Sequence, residues 1–262
     1  MTDPRIQARR VRVERQRGHR RLGILLSALA AAGASAGAVA ILHSSLFSAR
    51  TVAIAGAVHT PRSEMLEVTG LDRRPPLIDV DPAAIERRLD RLPWVSTAAV
   101  RVHWPSTVDL DVVERVPVAT SPLEGGGFAV LDATGRVLAH QATRPADLPL
   151  VALAKISSPP GSSLGAAARP MLAAAAQLPV SLLPRLQEIA VSGSDGIVLH
   201  LEGGLEAVIG DDEALAEKFV SLATVLSRVD LDGIGAIDLR VAASPVLTPL
   251  VTASNVHGKG DG

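Results

Sequence analysis

The feature that most constrains this chain is an uncharged apolar segment close to its N-terminus. Residues 22–42 carry no charged side chain, and His43 follows them. As a helix that rises 1.5 Å per residue, the segment is about 31 Å long, close to the roughly 30 Å hydrocarbon core of a bilayer. Each of its Leu, Ile and Val side chains favours membrane insertion by about 0.3–0.6 kcal/mol. We therefore predict a transmembrane helix over residues 22–42.

Charge is distributed very unevenly around this segment. Residues 1–21 contain eight arginines against Asp3 and Glu14, and Arg50 is the only basic residue soon after the span. An excess of Lys and Arg on one side of a span marks the cytoplasmic side, so residues 1–21 are predicted to be a basic cytoplasmic tail. Such a tail is also attracted to the headgroups of membrane lipid. Because the rest of the chain is mildly acidic, no binding of nucleic acid is expected.

Two alternatives concern the apolar segment itself. Ala34–Ala36 fits the small-residue pattern of a signal-peptide cleavage site, but the apolar stretch continues to Leu42 and the basic region before it is long. An uncleaved anchor is therefore the favoured interpretation. Gly33 and Gly37 form a Gly-x-x-x-Gly pair, which in membranes can bring two helices together. The pair is consistent with self-association of two helices. It is equally consistent with a chance spacing, because the segment is rich in Ala and Gly.

Composition narrows the chemistry available to the rest of the chain. There is no cysteine, which excludes disulfides, thiolate metal sites and a cysteine nucleophile. Tyrosine is absent and aromatic residues make up only 2%, so the cores must be built from Val, Leu, Ile and Ala. None of the histidines pairs at a metal-ligand spacing. No cofactor or metal is expected.

Residues 47–115 show the signals of a small domain of mixed α and β structure. Thr60 and Asp81 are each followed by a proline, a combination of N-cap residue and first helical residue that predicts two helices. Three segments alternate between apolar and polar residues, as half-buried strands do. The predicted strands are 50–54, 100–104 and 108–112. The predicted order is therefore β-α-α-β-β, with two helices able to cover one face of the sheet.

Residues 116–248 are predicted to form a second, mainly β domain with two helices. One helix covers residues 166–178, and the other follows a cap at Asp211 or Asp212 and buries an apolar stripe. Turn residues separate the strands. The predicted strands are 128–131, 136–138, 186–191, 197–201, 205–209 and 236–241. Residues 249–262 are polar and Gly-rich, which predicts a disordered tail.

Three blocks in these two regions resemble the FtsQ/DivIB family of bacterial cell-division proteins. They are Leu92–Val95, Val100–Pro105 and Glu114–Ala119, and their spacing fits that family without gaps. Phe47 and Gly56 fit as well, and so does the combination of Gly210, Lys218-Phe219 and Ile237–Val241. One departure is Thr120-Ser121, where many relatives place an aromatic residue. Trp94 and Trp104 in these blocks are expected to pack in the core.

The resemblance implies the fold and the role of the chain. It implies an α+β protein with a single N-terminal transmembrane helix, a POTRA domain (a polypeptide-transport-associated module) at 47–115 and an FtsQ-type β domain at 116–248. It further implies a single-pass protein of the cell membrane at the division septum, with most of the chain outside the cytoplasm. Its implied role is that of a non-catalytic divisome scaffold that recruits FtsB and FtsL, and through them acts on FtsW and FtsI.

The resemblance also implies where a partner binds. In that family the last strand of the β domain recruits FtsB, and an edge strand can accept a partner strand through its unpaired backbone groups. On this chain the matching partner-binding residues are Asp238, Leu239, Arg240 and Val241. Arg240 is the leading candidate for a charge-assisted contact with an acidic partner. The alternative, that Arg240 is an ordinary solvated strand residue, has equal weight.

Two other functions are weighed against this scaffold. Gly161–Gly165 matches the Gly-x-Ser-x-Gly pattern with Ser163 as nucleophile, but that motif needs a strand immediately before it and residues 157–160 have the composition of a loop. We therefore predict that the chain is not an enzyme. A POTRA-containing polypeptide-binding or translocation-associated membrane protein is the second alternative. It would be expected beside a β-barrel, and the roughly ten-residue alternating series of a barrel is absent from this sequence.

Overall fold

A computed structural model describes residues 24–250 of the chain. The predicted basic tail, residues 1–21, and residues 251–262 of the predicted disordered tail lie outside the described residues. The described chain divides into two compact units. The first contains the residues up to Leu89 together with Thr97–Val112, and the second contains Asp90–Ser96 and the residues from Val113 onward.

The first helix of the described chain, α1, has the length and composition of a membrane span. It covers Ile24–Leu42, and none of it is buried against the rest of the chain. The chain stays coiled past its end, because the His43 N–H donates to the Val39 carbonyl at 3.0 Å and a 3-10 turn follows at Ser45–Phe47. The single N-terminal helix of the predicted fold is confirmed.

The first unit then continues in the order β-α-α-β-β, as predicted. Its three-stranded sheet has the order β1-β3-β2, with β1 parallel to β3. Asp81 caps the second of the two helices, accepting the Ala84 N–H at 3.2 Å, whereas the first helix begins two residues after the predicted cap Thr60. The elements are β1 (Thr51–Ala55), α2 (Arg62–Thr69), α3 (Pro82–Leu89), β2 (Val95–His103) and β3 (Thr107–Glu114).

The core of this unit is aliphatic and comes from both helices and the central strand. Val108, Leu110 and Val112 alternate along β3 as buried residues, and Ile85 and Leu89 are buried on α3. The prediction that Trp104 packs in this core is wrong, because its side chain is 53% exposed. It lies one residue beyond the end of β2, where the alternation of a strand no longer determines which way a side chain points. Trp94 is half-buried.

The second unit contains two sheets that short bridges join. One has the order β4-β5-β6 and the other β11-β10-β9-β8-β7. Leu150 pairs with Thr120 of the first and Val151 with Ile189 of the second, so residues 150–151 connect them. The strands are β4 (Pro117–Pro122), β5 (Phe128–Asp132), β6 (Val137–Gln141), β7 (Leu186–Ser192), β8 (Gly196–Leu201), β9 (Glu206–Gly210), β10 (Ile234–Asp238) and β11 (Val246–Pro249).

Two helices complete the second unit, as predicted. They are α4 (Arg169–Gln177) and α5 (Leu215–Arg228). The predicted apolar stripe of α5 is buried at Phe219 and Leu222. Val229 lies outside the helix and is exposed. The predicted cap is wrong, since Ala214 occupies the N-cap position and no side chain caps the helix.

The predicted last strand, 236–241, differs from the structure in two ways. Strand β10 ends at Asp238, so Leu239, Arg240 and Val241 lie in the turn that follows. In addition, β10 is not an edge strand, because β11 pairs with it in antiparallel fashion and covers its outer side. Strand β11 was not predicted, since Val246–Pro249 is short and ends in proline, a residue that cannot donate a backbone hydrogen bond.

Candidate partner-binding surface

The four predicted partner-binding residues lie together at the end of β10, but they differ in exposure. Asp238 is the last strand residue and is half-buried. Leu239 is fully buried, and its N–H donates to the Val208 carbonyl of β9 at 2.8 Å. Arg240 and Val241 are exposed. Leu239 therefore serves the core, and a partner could reach the side chains of Arg240 and Val241.

Arg240 already has an acidic partner within its own chain. Its Nε donates to both carboxylate oxygens of Asp238, at 3.1 and 3.0 Å, and its backbone N–H donates to Asp238 Oδ1 at 3.0 Å. The guanidinium hydrogen bond holds the pKa of Asp238 below its ordinary value, and the Asp238 carboxylate raises the pKa of Arg240. Since a guanidinium has five N–H donors, the exposed Arg240 keeps donors for a second carboxylate.

The aliphatic stem of Arg240 lies over Gly210 at the end of β9. A Cβ on Gly210 would lie 2.7 Å from Cγ of Arg240, and the φ of Gly210 is +83°, in the left-handed region. Glycine adopts that conformation without steric cost, which other residues cannot. Gly210 thus lets the Arg240 stem lie close to the sheet and places the guanidinium beside Asp238.

A buried lysine fixes the segment that follows Gly210. Lys218 of α5 is buried, and its Nζ donates to the Asp211 carboxylate at 2.6 Å and to the Asp211 carbonyl at 3.2 Å. The hydrogen bond from Lys218 is the main cause that lowers the pKa of Asp211. The Asp211 carboxylate, proposed from the sequence as a helix cap, instead pairs with a lysine inside the helix.

A shallow apolar groove adjoins this turn. Its volume is about 440 Å³. One wall is the exposed side of α5 and the other is the turn after Val241, with Val220 65% exposed. The lining residues are Ala216, Glu217, Val220, Ser221, Ala242 and Ala243. The groove offers apolar contact next to the charged pair of Asp238 and Arg240.

Strand β11 forms one of the two edges of the five-stranded sheet, and this edge is partly blocked. Leu250 donates its N–H to the Gly233 carbonyl at 2.8 Å, on the β10 side. Because successive residues of an antiparallel strand alternate sides, residues 245, 247 and 249 direct their backbone groups outward. Two of these, Pro245 and Pro249, have no N–H. Leu247 therefore supplies the one outward donor among these three positions.

The Gly-x-Ser-x-Gly match has no catalytic geometry. Residues 157–162 contain no strand within the described chain, and Ser163 itself forms an isolated antiparallel bridge with Arg136. The sharp strand-to-helix turn that exposes a nucleophilic serine is therefore missing. The neighbouring Ser162 donates its hydroxyl to the Pro159 carbonyl at 2.5 Å.

Comparisons with known proteins agree with this architecture. The family model described as "POTRA domain, FtsQ-type" matches residues 47–115, and the one described as "Cell division protein FtsQ/DivIB, C-terminal" matches residues 122–240. A cell division protein FtsQ of Streptomyces bingchenggensis is 30% identical over 225 residues, which cover 84% of this chain and 83% of the relative. The chain belongs to the FtsQ/DivIB family of cell division proteins.

The share of the relative that is aligned varies among other members of the FtsQ/DivIB family. The chain is 31% identical over 183 residues to a cell division protein FtsQ of Mycolicibacterium smegmatis, which covers 70% of this chain but 53% of that relative. Among solved structures, the extracytoplasmic domain of DivIB from Geobacillus stearothermophilus matches 45% of this chain and 98% of its own, with 23% identity and a TM-score of 0.32. Proteins of this family are scaffolds of cell division and in general are not enzymes.

The structure brings together the residues of one family-like motif noted in the sequence, namely Gly210, Lys218-Phe219 and Ile237–Val241. The FtsQ/DivIB C-terminal match ends at residue 240, the arginine whose stem lies over Gly210. Lys218, which belongs to the same motif, holds Asp211 next to the same glycine. Sequence spacing alone could associate these residues, but it could not show that they meet at one end of a sheet. The groove on α5 gave no sequence signal, because exposed Val and Ala are common on helices.

Proposed function

We propose that this FtsQ/DivIB protein is a non-catalytic scaffold of the division complex that recruits FtsB and FtsL at the outer face of the cell membrane. FtsW and FtsI would be reached indirectly, through those two partners. The eight arginines of residues 1–21 favour a cytoplasmic N-terminus, which would place both folded units outside. The division septum is the location that this role requires.

The proposed contact surface consists of two adjoining parts. One is the exposed Arg240 and Val241 with the apolar groove beside them, and the other is the outer edge of β11. They adjoin because Asp238 of β10 pairs with Val246, the first residue of β11. A partner strand that bonds to Leu247 and continues past Val246 would run directly toward the turn. The observation that carries the proposal is this exposed arginine in the turn that leads from β10 to the edge strand β11.

The surface also indicates what the partner segment should contain. Only a short stretch can pair with β11, since prolines lie on both sides of Leu247. Most of the affinity should therefore come from side chains, with an acidic residue for Arg240 and apolar residues for the groove. This differs from strand addition along a fully open edge, where backbone hydrogen bonds alone supply much of the affinity.

Co-purification of the full-length protein with FtsB and FtsL tests the contact. Arg240→Glu should reduce recovery of both partners by about tenfold or more, because loss of a charge-assisted hydrogen bond costs about 1.5–3 kcal/mol and a second carboxylate would repel an acidic partner. Arg169→Glu makes the same charge change at an exposed position of α4 and should leave recovery unchanged. Equal recovery with both variants would refute the assigned surface.

Depletion in the source bacterium tests the role itself. Cells that lose the protein should elongate into filaments without septa, and the full-length chain should restore division. A chain with Ser163→Ala should restore it equally well, since no catalytic serine is assigned. Normal septation in depleted cells would contradict the scaffold role, whatever the binding experiment shows.

A further inference from the structure

Three large apolar side chains of the first unit are exposed, and they come from three different segments of the chain. Leu46 lies in the turn after α1, Ile78 lies between α2 and α3, and Trp104 lies between β2 and β3. Their exposed fractions are 62%, 46% and 53%. Single exposed apolar residues are normal on protein surfaces, whereas several gathered at one place indicate an interaction site.

The turn that carries Trp104 is attached to the segment that leaves α1. The rings of Trp104 and Phe47 are 5.7 Å apart, centroid to centroid, at an angle of 59°. The Ser106 carbonyl accepts the Arg50 N–H at 3.0 Å. Trp104 is therefore held beside the residues that follow directly on Leu46.

The loop that carries Ile78 is attached to the same segment from another side. His43 Nε2 lies 3.4 Å from the Asp79 carboxylate, and the Ala49 N–H donates to the Pro75 carbonyl at 2.9 Å. Asp79 is the residue after Ile78, so Ile78 also lies near the end of α1. Leu46, Ile78 and Trp104, which we call the juxtamembrane rim, thus surround the point where the chain leaves the helix.

The depth of the rim follows from the coiled path of the chain after α1. The Ser44 N–H bonds to the Ile41 carbonyl, and the Phe47 N–H bonds to the Ser44 carbonyl, so this segment is not extended. With a rise of about 1.5–2.0 Å per residue, Phe47 lies no more than about 10 Å beyond Leu42. The polar layer of a bilayer adds about 5–8 Å on each side of the hydrocarbon core. Phe47 and the Trp104 ring beside it therefore lie within the headgroup layer or at its outer boundary when α1 spans the membrane.

We propose that the juxtamembrane rim is a second membrane contact, through which the POTRA domain rests on the phospholipid surface at the outer end of α1. Tryptophan is enriched at this level of membranes, because its ring is apolar and its indole N–H can bond to headgroups or water. Arg50 adds a cation for lipid phosphate. Its Nη2 lies 3.4 Å from the Leu46 carbonyl, so the guanidinium stays at the rim. The proposal rests on α1 spanning the membrane and not on the recruitment of FtsB and FtsL.

Tryptophan fluorescence can test this contact in the full-length protein. The chain has two tryptophans and no tyrosine, so Trp94→Phe leaves Trp104 as the single emitter. The protein is reconstituted into phosphatidylcholine–phosphatidylglycerol vesicles, with or without lipids brominated near the top of their acyl chains. Bromine quenches indole on contact, so a ring at headgroup level should emit more weakly in brominated vesicles than in unbrominated ones. Trp104→Phe is the matched control, and its Trp94 emission should be unaffected.

Two results would overturn the proposal. Trp104 emission that brominated lipid leaves unchanged, and that aqueous acrylamide quenches freely, would place the ring in water. Emission protected from both quenchers would mean that protein, such as a second copy of this chain, covers the ring. If Trp94→Phe fails to fold, the Trp104 signal is obtained by subtracting the emission of the Trp104→Phe variant from that of the unaltered chain.

Discussion

At the scale of single residues, Asp132 accepts hydrogen bonds from three different residues, Arg115, Thr134 and Arg136. Its Oδ1 accepts the backbone N–H groups of Thr134 and Arg136, at 2.9 and 2.8 Å, and its Oδ2 accepts Arg115 Nη1 at 2.8 Å. Burial opposes ionisation of Asp132, but these hydrogen bonds outweigh it and hold the pKa below its usual value of 3.8. Arg115 also donates to the Val95 carbonyl at 2.9 Å. One carboxylate therefore organises a hairpin turn and an arginine bound to a distant segment.

The first residue-scale prediction concerns Asp132→Asn. The substitution should lower the free energy of unfolding at pH 7 by about 1–3 kcal/mol, because buried donors lose an ionised acceptor. Since the folded-state pKa lies below the unfolded one, this stabilisation is present above pH 4 and is lost as the pH falls through the folded value. Denaturant unfolding of both proteins at pH 7 and pH 3 should give a difference that shrinks in acid. Asp147→Asn, at an exposed position, should show little difference at either pH.

The second residue-scale prediction separates two consequences of replacing Gly210, namely backbone strain and collision of a Cβ with the Arg240 stem. Gly210→Ala should destabilise the protein more than Gly203→Ala, although both residues have a left-handed φ, near +80. Backbone strain of about 1 kcal/mol is common to both variants, but only the Cβ at 210 would collide, with the Arg240 stem. Thermal unfolding compares the two. Equal losses would mean that the Arg240 stem moves aside without cost.

Residue identity predicted the role of some side chains and not of others. Asp81 was predicted as a helix cap from the adjacent proline, a local signal, and that prediction is confirmed. Trp104 was predicted in the core because it continues the alternation of Val100 and Val102, but a side chain just past a strand end is positioned by its neighbours in space. The pairing of Arg240 with Asp238 is local in sequence, yet it depends on the chain turning immediately after β10.

At the scale of elements, β11 is the strand whose removal would change the surface most. It covers the outer side of β10, and its Leu247 packs partly against the core of the second unit. Without it, the backbone groups of β10 would become the free edge, with the buried Ile237 near that edge. Proteins protect such edges because an open one pairs with other chains.

Truncation tests how the partner uses β11. A chain that ends after Ser244 should lose stability and bind FtsB and FtsL more weakly, because the proposed partner strand adds to β11. A chain that ends after Leu250 keeps the strand and should match the full-length protein in both respects. Unfolding temperature and co-purification give the two readouts. Stronger binding by the shorter chain would mean instead that the partner takes the place of β11 on β10.

Elements marked by a helical stripe or by turn residues were predicted well, whereas the strands β4 and β11 were missed. The stripe of α5 runs over several turns, and the hairpin of β5 and β6 is marked by Asp132 and Gly135, so both were located from the sequence. Strand β11 has four residues, of which the last is proline, and Pro245 precedes it, so it is too short for an alternating pattern to stand out. Its place in the sheet depends on pairing with β10, a contact that local sequence does not encode.

At the scale of the whole molecule, the arrangement across the membrane is the main proposal to be tested. The absence of cysteine makes this direct, since a single introduced cysteine is a unique label. Ser194→Cys, in the exposed loop between β7 and β8, should react with a membrane-impermeant maleimide in intact cells whose outer layers have been made permeable. Thr2→Cys should react only after the cell membrane is opened. The opposite pattern of labelling would contradict a cytoplasmic N-terminus.

The positive charge of residues 1–21 should determine the direction in which α1 crosses the membrane. Replacing the eight arginines of residues 1–21 by glutamine removes the asymmetry across α1, so a fraction of the Ser194→Cys chains should become inaccessible to the external reagent. Replacing Arg50 alone should leave labelling unchanged. The domain order itself was predictable, because an uncharged span, a β-α-α-β-β pattern and a mainly β region follow one another in the sequence.

The prolines of β11 have a consequence for many copies of this protein gathered at one place. Sheets with open edges can join side by side into filaments, and membrane anchoring confines neighbouring copies to a plane, where such meetings are frequent. With Pro245 and Pro249 on either side of Leu247, two β11 strands from different molecules could exchange very few backbone hydrogen bonds. The edge that would limit the proposed partner to a short strand thus also protects crowded copies from polymerising with one another.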